Sequence, residues 1–131
     1  MCGIFGQITK NKINQENFDK LVKHSEQRGI DSSGLIYYKN DRYEISRADY
    51  NIEKLLKKVK PYDYKIVLGH SRLITNGLGD NQPVIRDNIC AIHNRIIVNE
   101  KDVWNKLTVE RKYQINSEAI VAIAEEHLKN G

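Results

Sequence analysis

The sequence predicts a single α+β domain, and three observations support this fold class. At 131 residues the chain has room for one hydrophobic core and offers no sensible division into two domains. Its strand-like and helix-like segments lack the regular strand–helix–strand alternation that is typical of a doubly wound sheet. Hydrophobic residues make up 40% and charged residues 29% of the chain, which is ordinary for a globular protein. We therefore expect one domain that spans residues 1–131.

The expected elements follow in order along the chain. They are a strand at 2–9, a helix at 15–28, strands at 35–39 and 43–48, a helix from about 52 to just before Pro61, a strand at 66–70, a loop at 75–83, strands at 88–93 and 96–99, and a helix at about 117–129. Repeats and low-complexity segments are absent from the sequence.

Hydrophobic spacing supports the first two helices. The apolar residues of each helix share one face: Phe18, Leu21 and Val22 in the first, and Ile52, Leu55, Leu56 and Val59 in the second. Gly29 is placed to end the first helix, and Asn116 or Ser117 to cap the last one. The lysines at 54, 57, 58 and 60 then face solvent, and we prefer this interpretation to an anion-binding patch.

The strands are predicted from β-branched and aromatic runs that turn-forming residues separate. Asn40-Asp41 lies between two such runs and favours a hairpin. The run at 66–70 is apolar throughout most of its length, which is typical of a core strand. Residues 75–83 are dense in turn formers and predict a loop. Asn94-Arg95 separates the last two strand candidates.

The composition argues against several function classes. The longest apolar stretches fall far short of the ~20 residues that a membrane-spanning helix needs. No basic leader precedes an apolar core at the start, so we expect a cytoplasmic protein. The formal charge of +4 is spread along the whole chain, which does not indicate nucleic-acid binding. The cysteines at 2 and 90 form no metal-ligand spacing, and a disulfide is not expected between them in a reducing cytoplasm.

Cys2 directly follows the initial methionine, and this position changes how a lone cysteine is interpreted. Most lone cysteines are small buried hydrophobes, and we assign Cys90 to that class. Methionine before a small residue is commonly removed, so the mature chain would begin with a thiol beside a free α-amine. That amine has a reference pKa of roughly 7.7–8.0 and can accept the thiol proton directly or through a water. Such a pair is a nucleophile with its own base and does not require a histidine.

Four motifs extend this pattern along the chain. They are Met1-Cys2-Gly3-Ile4-Phe5-Gly6, Arg28-Gly29-Ile30-Asp31-Ser32-Ser33-Gly34, Gly69-His70-Ser71-Arg72-Leu73 and Ile92-His93-Asn94-Arg95-Ile96-Ile97. In this order and at these separations they resemble the class II glutamine amidotransferases, which belong to the N-terminal nucleophile hydrolases. The resemblance implies an αββα sandwich, of which this chain is expected to be an incomplete N-terminal portion.

The resemblance also implies a glutaminase mechanism. Cys2 would attack the side-chain carboxamide of glutamine, release ammonia and form a thioester that water hydrolyses. The side-chain amide of Asn94 and the backbone N–H of Arg95 would stabilise the oxyanion. Ammonia would pass to a synthase domain or subunit. The step itself implies no metal and no organic cofactor, and a homo-oligomer is left open.

Substrate binding is assigned by the same resemblance. Arg72 would hold the α-carboxylate of glutamine with its planar guanidinium. Arg28 and the backbone around Thr75, Asn76 and Gly77 would shape the pocket. The ammonia acceptor stays open, because the second motif is similar to the sugar-aminating branch, whereas Leu73 is more similar to the asparagine synthetase branch.

Three departures from the family pattern support an alternative, a catalytically weak or inactive glutamine-binding or scaffold domain. Arg95 stands where the family has glycine, which indicates either a positive φ or a substrate packed against the backbone; a positive φ would cost arginine roughly 1–2 kcal/mol. Asn116 stands where an aspartate pairs with the α-ammonium of glutamine. Family domains also continue well past the last helix of this chain, and their later segments supply further strands.

Overall fold

The computed structural model describes residues 2–73 and 81–131, and it confirms the α+β class. Its elements are β1 (Gly3–Ile8), α1 (Gln15–Glu26), β2 (Ser32–Lys39), β3 (Arg42–Ala48), α2 (Ile52–Val59), β4 (Ile66–Arg72), β5 (Val84–Arg86), β6 (Ile89–Ala91), α3 (Glu100–Lys106) and α4 (Glu118–Lys129). A short 3₁₀ turn, Pro61–Asp63, follows α2. No helix in these described ranges is long and apolar enough to cross a membrane.

Four of the strands form an antiparallel sheet in the order β1-β4-β2-β3. The predicted hairpin is confirmed: β2 and β3 are joined by Asn40 and Asp41, whose φ angles are 51° and 62°. Both angles suit a two-residue turn of the type that matches strand twist. The register places Ser71 of β4 between Gly3 of β1 and Ser33 of β2. Three of the four sequence motifs are therefore brought together at one end of this sheet.

Helices α1 and α2 cover one face of the sheet, and their apolar faces form its main core. Phe18 and Ile52 are fully buried from the helix side, against Leu35 and Val67 from the strands. Each such burial contributes roughly 1.5–3 kcal/mol to folding. The predicted amphipathic faces of both helices are thus confirmed, although Leu21 remains 38% exposed.

Helix α4 covers a second, two-stranded sheet made of β5 and β6. Val84, Ile115 and Val121 form a smaller core there. A buried ion cluster ties the helix to β5, because Arg86 contacts both Glu118 and Glu125, which are at most 4% exposed. Glu118 also accepts backbone hydrogen bonds from Lys112 and Tyr113. This arrangement is compatible with the fold of the N-terminal nucleophile hydrolases.

The two parts of the fold meet at Gly34. A Cβ there would lie 1.9 Å from the carbonyl oxygen of Gln82, so only glycine allows this approach. The segment that leads into β5 therefore crosses directly over β2, close to the end of the sheet that carries the motifs.

Several expected elements differ from the structure. The strand predicted at 96–99 is wrong: these residues form the approach to α3, and Ile96 and Val98 are 80% and 94% exposed. Within residues 2–73 and 81–131 no strand pairs with this segment, and β-propensity depends on such context. The strand predicted at 88–93 is shortened to Ile89–Ala91. Strand β5 and helix α3 were not predicted. Of the predicted loop at 75–83, residues 81–83 lie outside any strand or helix, and 75–80 are outside the described residues.

His70 is buried in the middle of the sheet and should make stability depend on pH. It is 0% exposed, lies in register with Ile4 and Gly34, and neither ring nitrogen has a hydrogen-bond partner among the described groups. Burial, and secondarily Arg72, lowers its pKa from 6.5 to about 4. The unfolded chain therefore binds more protons between these values, so stability is fully present above pH 6.5 and falls towards pH 4. We expect this residue alone to remove about 3 kcal/mol over that window.

Urea unfolding at several pH values tests this expectation by comparing the wild type with His70→Leu. The variant should show a flatter dependence of unfolding free energy on pH between 6.5 and 4. His127→Gln, at an exposed site on α4, is the matched control and should keep the wild-type slope. Equal slopes in the wild type and His70→Leu would contradict the assignment.

Candidate active site

The predicted catalytic residues line one cavity of about 820 Å³, which lies within the range of small-molecule sites. Its described wall is made of Cys2, Arg28, Arg72, Leu73, Gln82, His93, Asn94, Arg95, Ile96, Glu100, Gln114, Ile115, Asn116 and Ser117. Cys2, Asn94, Arg95, Arg72, Arg28 and Asn116 of the sequence prediction are all in this set. Thr75, Asn76 and Gly77 lie outside the described residues.

Cys2 is partly buried at the start of β1, and its backbone nitrogen donates a hydrogen bond to Oδ1 of Asn94 over 3.1 Å. This contact joins residues that are 92 positions apart in the chain. Because Oδ1 of Asn94 accepts this bond, the NH₂ group of the same side chain remains as a donor. The arrangement places the Cys2 residue, its backbone nitrogen and an amide donor together at the wall of the cavity.

Gly3, next to the nucleophile candidate, is held against α1. A Cβ at this position would lie 2.4 Å from the backbone oxygen of Ser25. The side chain of Ser25 is itself buried and shares a hydrogen bond of 2.8 Å with Ser71. Helix α1 thus fixes the start of β1, and with it Cys2, through close backbone packing.

Gly3→Ala should therefore destabilise the fold by about 1–3 kcal/mol and lower turnover, because backbone atoms of α1 must move to admit the methyl group. Gly6→Ala on the same strand is the matched control. Its Cβ would meet first the tip of the Leu68 side chain, which can rotate away. Urea unfolding and turnover should both rank Gly3→Ala below Gly6→Ala, and the reverse ranking would contradict this role for Gly3.

Gln82 is a positioning residue that the sequence analysis missed. Its side chain is 4% exposed and makes a paired contact with the backbone of His93: Nε2 donates to the His93 oxygen over 3.0 Å, and Oε1 accepts from the His93 nitrogen over 2.7 Å. These two hydrogen bonds satisfy the backbone of His93 as a neighbouring strand would, and they hold the segment that carries Asn94. The sequence shows it only as one polar residue in a stretch of turn formers.

Gln82→Leu should lower kcat by about tenfold or more, because two backbone groups of His93 lose their partners and Asn94 is held less firmly. KM should change less than kcat, since Gln82 acts through another residue. Gln82→Glu keeps the acceptor for the His93 nitrogen and should lie between the wild type and Gln82→Leu. A kcat for Gln82→Leu equal to that of the wild type would contradict the positioning role.

His93 and Ser117 complete the support around Asn94. Nδ1 of His93 lies 3.1 Å from Oγ of Ser117, which also accepts a bond of 3.3 Å from Gln82. Burial, and then the charge of Arg95, lowers the pKa of His93 and favours the neutral form of the ring. Ser117 precedes α4 as expected of its cap, but its side chain makes no capping hydrogen bond. Its hydroxyl instead contacts His93 and Gln82 at the cavity wall.

The backbone at Arg95 does not have the positive φ that was considered for it because the family has glycine at this position. Among the described residues other than glycine, positive φ occurs at Asn40, Asp41, Lys60 and Asp87. Arg95 is absent from this set, so the strain that a positive φ would cause does not arise. The exposed Arg95 is one of the residues of the cavity wall.

Arg28 and Arg72 reach the cavity through a tight contact between two motifs. A Cβ at Gly29 would lie 2.3 Å from the nitrogen of Leu73, and the Asp31 nitrogen donates to the Arg72 oxygen over 3.0 Å. The loop after α1 is therefore packed directly on the end of β4.

Cys90 is not part of the cavity wall described above, and burial raises the pKa of its thiol. A raised pKa reduces the thiolate fraction and hence reactivity. Both Cys2 and Cys90 are free thiols. In the ranges 2–73 and 81–131, no group of three or more His, Cys, Asp or Glu side chains is arranged to hold a metal ion.

Comparisons with known proteins give the chain a set of relatives. Glutamine–fructose-6-phosphate aminotransferase (isomerizing) from Campylobacter jejuni is 32% identical over 139 residues, covering 99% of this chain and 23% of the relative. The protein of the same name from Brucella abortus is 31% identical, covering 100% and 23%. That from Sulfolobus acidocaldarius is 32% identical over 144 residues, covering 100% and 24%. The chain thus spans 23% to 24% of these relatives' length. No protein-family model matches it.

Proposed function

Because the chain belongs to the class II glutamine amidotransferases, we propose that it is a glutaminase unit that hydrolyses glutamine to glutamate and ammonia. The observation that carries the proposal is the 3.1 Å hydrogen bond from the Cys2 nitrogen to Asn94, at the wall of the cavity. This contact brings together Cys2, which would supply the base and the nucleophile, and Asn94, which would supply an oxyanion donor. Such a constellation suits acyl transfer from a carboxamide.

The mechanism begins with the removal of Met1, which turns the Cys2 nitrogen into an α-amine. Asn94 holds this amine through Oδ1, and the amine takes the thiol proton directly or through a water. The thiolate adds to the carboxamide carbon of glutamine. The NH₂ group of Asn94 and the backbone N–H of Arg95 stabilise the oxyanion of the resulting tetrahedral intermediate.

Collapse of that intermediate breaks the carbon–nitrogen bond. The proton held by the α-amine passes to the leaving nitrogen, which departs as ammonia. Water then attacks the thioester, with the amine again accepting the proton, and glutamate leaves. Asn94 therefore acts in both halves of the cycle: Oδ1 orients the base and Nδ2 receives the developing charge.

Arg72 is the residue that we assign to the α-carboxylate of the substrate, because it belongs to the cavity wall and a guanidinium can bind a carboxylate through two parallel bonds. Arg28 adds a second cation to the same wall. Asn116 is uncharged and offers hydrogen bonds without charge. Thr75, Asn76 and Gly77 remain assigned to the pocket by the family resemblance alone.

The ammonia acceptor is proposed from the relatives. Their names describe transfer from glutamine to fructose 6-phosphate, which agrees with the sugar-aminating branch that the second motif resembles. We infer that this chain delivers ammonia to a synthase domain or subunit of that kind in the cytoplasm. The fold expected for the complete glutaminase domain is the αββα sandwich.

The alternative remains a catalytically weak or inactive glutamine-binding or scaffold domain that keeps the fold. Asn116 is the observation that favours it, since an uncharged amide occupies the place of a charge partner. A coupled assay for ammonia release separates the two functions. Protein shown by intact mass to lack Met1 should release ammonia from glutamine with saturation kinetics. Folded, trimmed protein without such release would support the alternative.

A further inference from the structure

The side-chain amide of Gln82 has an orientation that the backbone of His93 fixes. Its Oε1 accepts from the His93 nitrogen and its Nε2 donates to the His93 oxygen, so the two ends of the amide cannot be exchanged. Nε2 also lies 3.3 Å from Oγ of Ser117, and an NH₂ group can only donate. The Ser117 oxygen therefore accepts this hydrogen bond, and its own proton is left for another partner.

Two acceptors compete for the proton of the Ser117 hydroxyl, whose residue is 2% exposed. Nδ1 of His93 lies 3.1 Å from Oγ, and Oδ1 of Asn116 lies 3.5 Å from it. A hydroxyl has one proton, and the shorter contact favours His93 as its acceptor. Burial, and then Arg95, lowers the pKa of His93 and so favours a neutral ring that can accept. Because Nδ1 then carries no proton, the proton of the neutral ring is on Nε2.

Ser117 and His93 belong to two parts of the cavity wall that are remote in sequence. His93 precedes Asn94, whose side chain contacts the Cys2 nitrogen. Ser117 precedes α4 and makes no capping hydrogen bond there, so the helix does not depend on its hydroxyl. The contact between Ser117 and His93 therefore connects the start of α4 to the segment that carries Asn94.

We infer that Ser117 is a positioning residue of the proposed glutaminase reaction, because its hydroxyl donates to Nδ1 of His93 and thereby holds the segment that carries Asn94. The effect on turnover rests on the proposed function, whereas the hydrogen bond itself does not depend on any activity. In this role Ser117 acts through Asn94, which orients the base and receives the developing charge. Loss of the hydroxyl should consequently affect kcat more than KM.

Ser117→Ala should lower kcat by about tenfold, since Nδ1 of His93 and the NH₂ group of Gln82 each lose a buried partner. KM for glutamine should stay within about twofold of the wild type. Ser46→Ala is the matched control, because it removes a hydroxyl whose contact with Tyr37 is also 3.1 Å long, outside the described cavity wall. This control should keep kcat within about twofold of the wild type. An unchanged kcat in Ser117→Ala, or a rise in KM as large as the fall in kcat, would overturn the positioning role.

His93→Leu removes the acceptor of the same contact, so the two residues can be tested as a pair. If both side chains act through one hydrogen bond, the variant that combines Ser117→Ala and His93→Leu should have a kcat within about twofold of that of His93→Leu. Losses that multiply in the combined variant would overturn the pairing.

Long-range proton–nitrogen correlation spectra of the histidine rings test the hydrogen bond directly and do not require turnover. The chain contains four histidines, and His93→Leu identifies the signals of His93. At about pH 8, above the ordinary pKa of imidazole, the wild type should show the proton of His93 on Nε2 and an unprotonated Nδ1. Ser117→Ala should move these signals towards the mixture of tautomers of a ring without such a partner.

A proton on Nδ1 of His93 in the wild type, or ring signals that Ser117→Ala leaves unchanged, would overturn this inference and leave the proposed function standing. The expected spectra from a folded, Met1-trimmed protein that releases no ammonia would instead overturn the proposed function, and with it the role of Ser117 in turnover.

Discussion

Cys2→Ala should lower the rate of ammonia release by about 10³-fold or more, because the variant lacks the sulfur that forms the thioester. The fold should survive, since the side chain is only partly buried at the cavity wall and alanine fits the same backbone. The assay measures ammonia from glutamine at saturating concentration, and urea unfolding confirms that the variant is folded.

Cys90→Ala is the matched control for that experiment. Cys90 is the other free thiol, it is absent from the described cavity wall, and burial raises its pKa. Its removal should leave turnover within about twofold of the wild type, because surface or half-buried substitutions away from a site have small effects. Turnover that survives Cys2→Ala and is lost in Cys90→Ala would contradict the assignment of the nucleophile.

Asn94→Ala should lower kcat by roughly 10²- to 10³-fold, which is the usual cost of losing one oxyanion donor. The loss of the contact with the Cys2 nitrogen acts in the same direction, since the base is then less well oriented. KM for the substrate should change much less, because Asn94 acts on the reacting centre. Steady-state kinetics of ammonia release separate the two constants.

Asn94→Asp distinguishes the two roles of this side chain. It keeps an oxygen acceptor for the Cys2 nitrogen and has nearly the same volume, but it replaces the NH₂ donor by a second oxygen. We expect it to be at least as inactive as Asn94→Ala, because a carboxylate cannot donate to an oxyanion and repels it. Wild-type turnover in Asn94→Asp would contradict the donor role.

Local signals in the sequence were sufficient for much of the first sheet and its helices. Asn40-Asp41 predicted the hairpin, because residues that tolerate positive φ are needed in a two-residue turn. The spacing of apolar residues from Ile52 onward predicted α2 and its buried face. The family resemblance carried by the four motifs assigned Cys2, Arg72 and Asn94 to one glutamine pocket, and these residues lie in the wall of one cavity.

Features that depend on contacts between distant residues could not be predicted in this way. The segment at 96–99 has the composition of a strand, but whether it pairs is decided by what lies beside it. Gln82 acts by contacting the backbone of His93, and a glutamine in a loop carries no sign of such a role. The burial of Arg86 against Glu118, 32 positions away, is likewise invisible to a local pattern.

Arg95 illustrates both limits. The sequence identified Asn116 and Arg95 as departures from the family pattern, and it offered positive φ or substrate close to the backbone as reasons for the family's glycine. The structure excludes a positive φ at Arg95 and places this residue in the cavity wall.

Intact mass spectrometry before and after incubation with saturating 6-diazo-5-oxo-norleucine, a reactive glutamine mimic, tests the central claim most directly. The account predicts a starting mass that lacks Met1, followed by a single adduct that peptide mapping assigns to Cys2 and that Cys2→Ala abolishes. A chain that retains Met1, or a trimmed and folded chain that takes no adduct at Cys2, would contradict it.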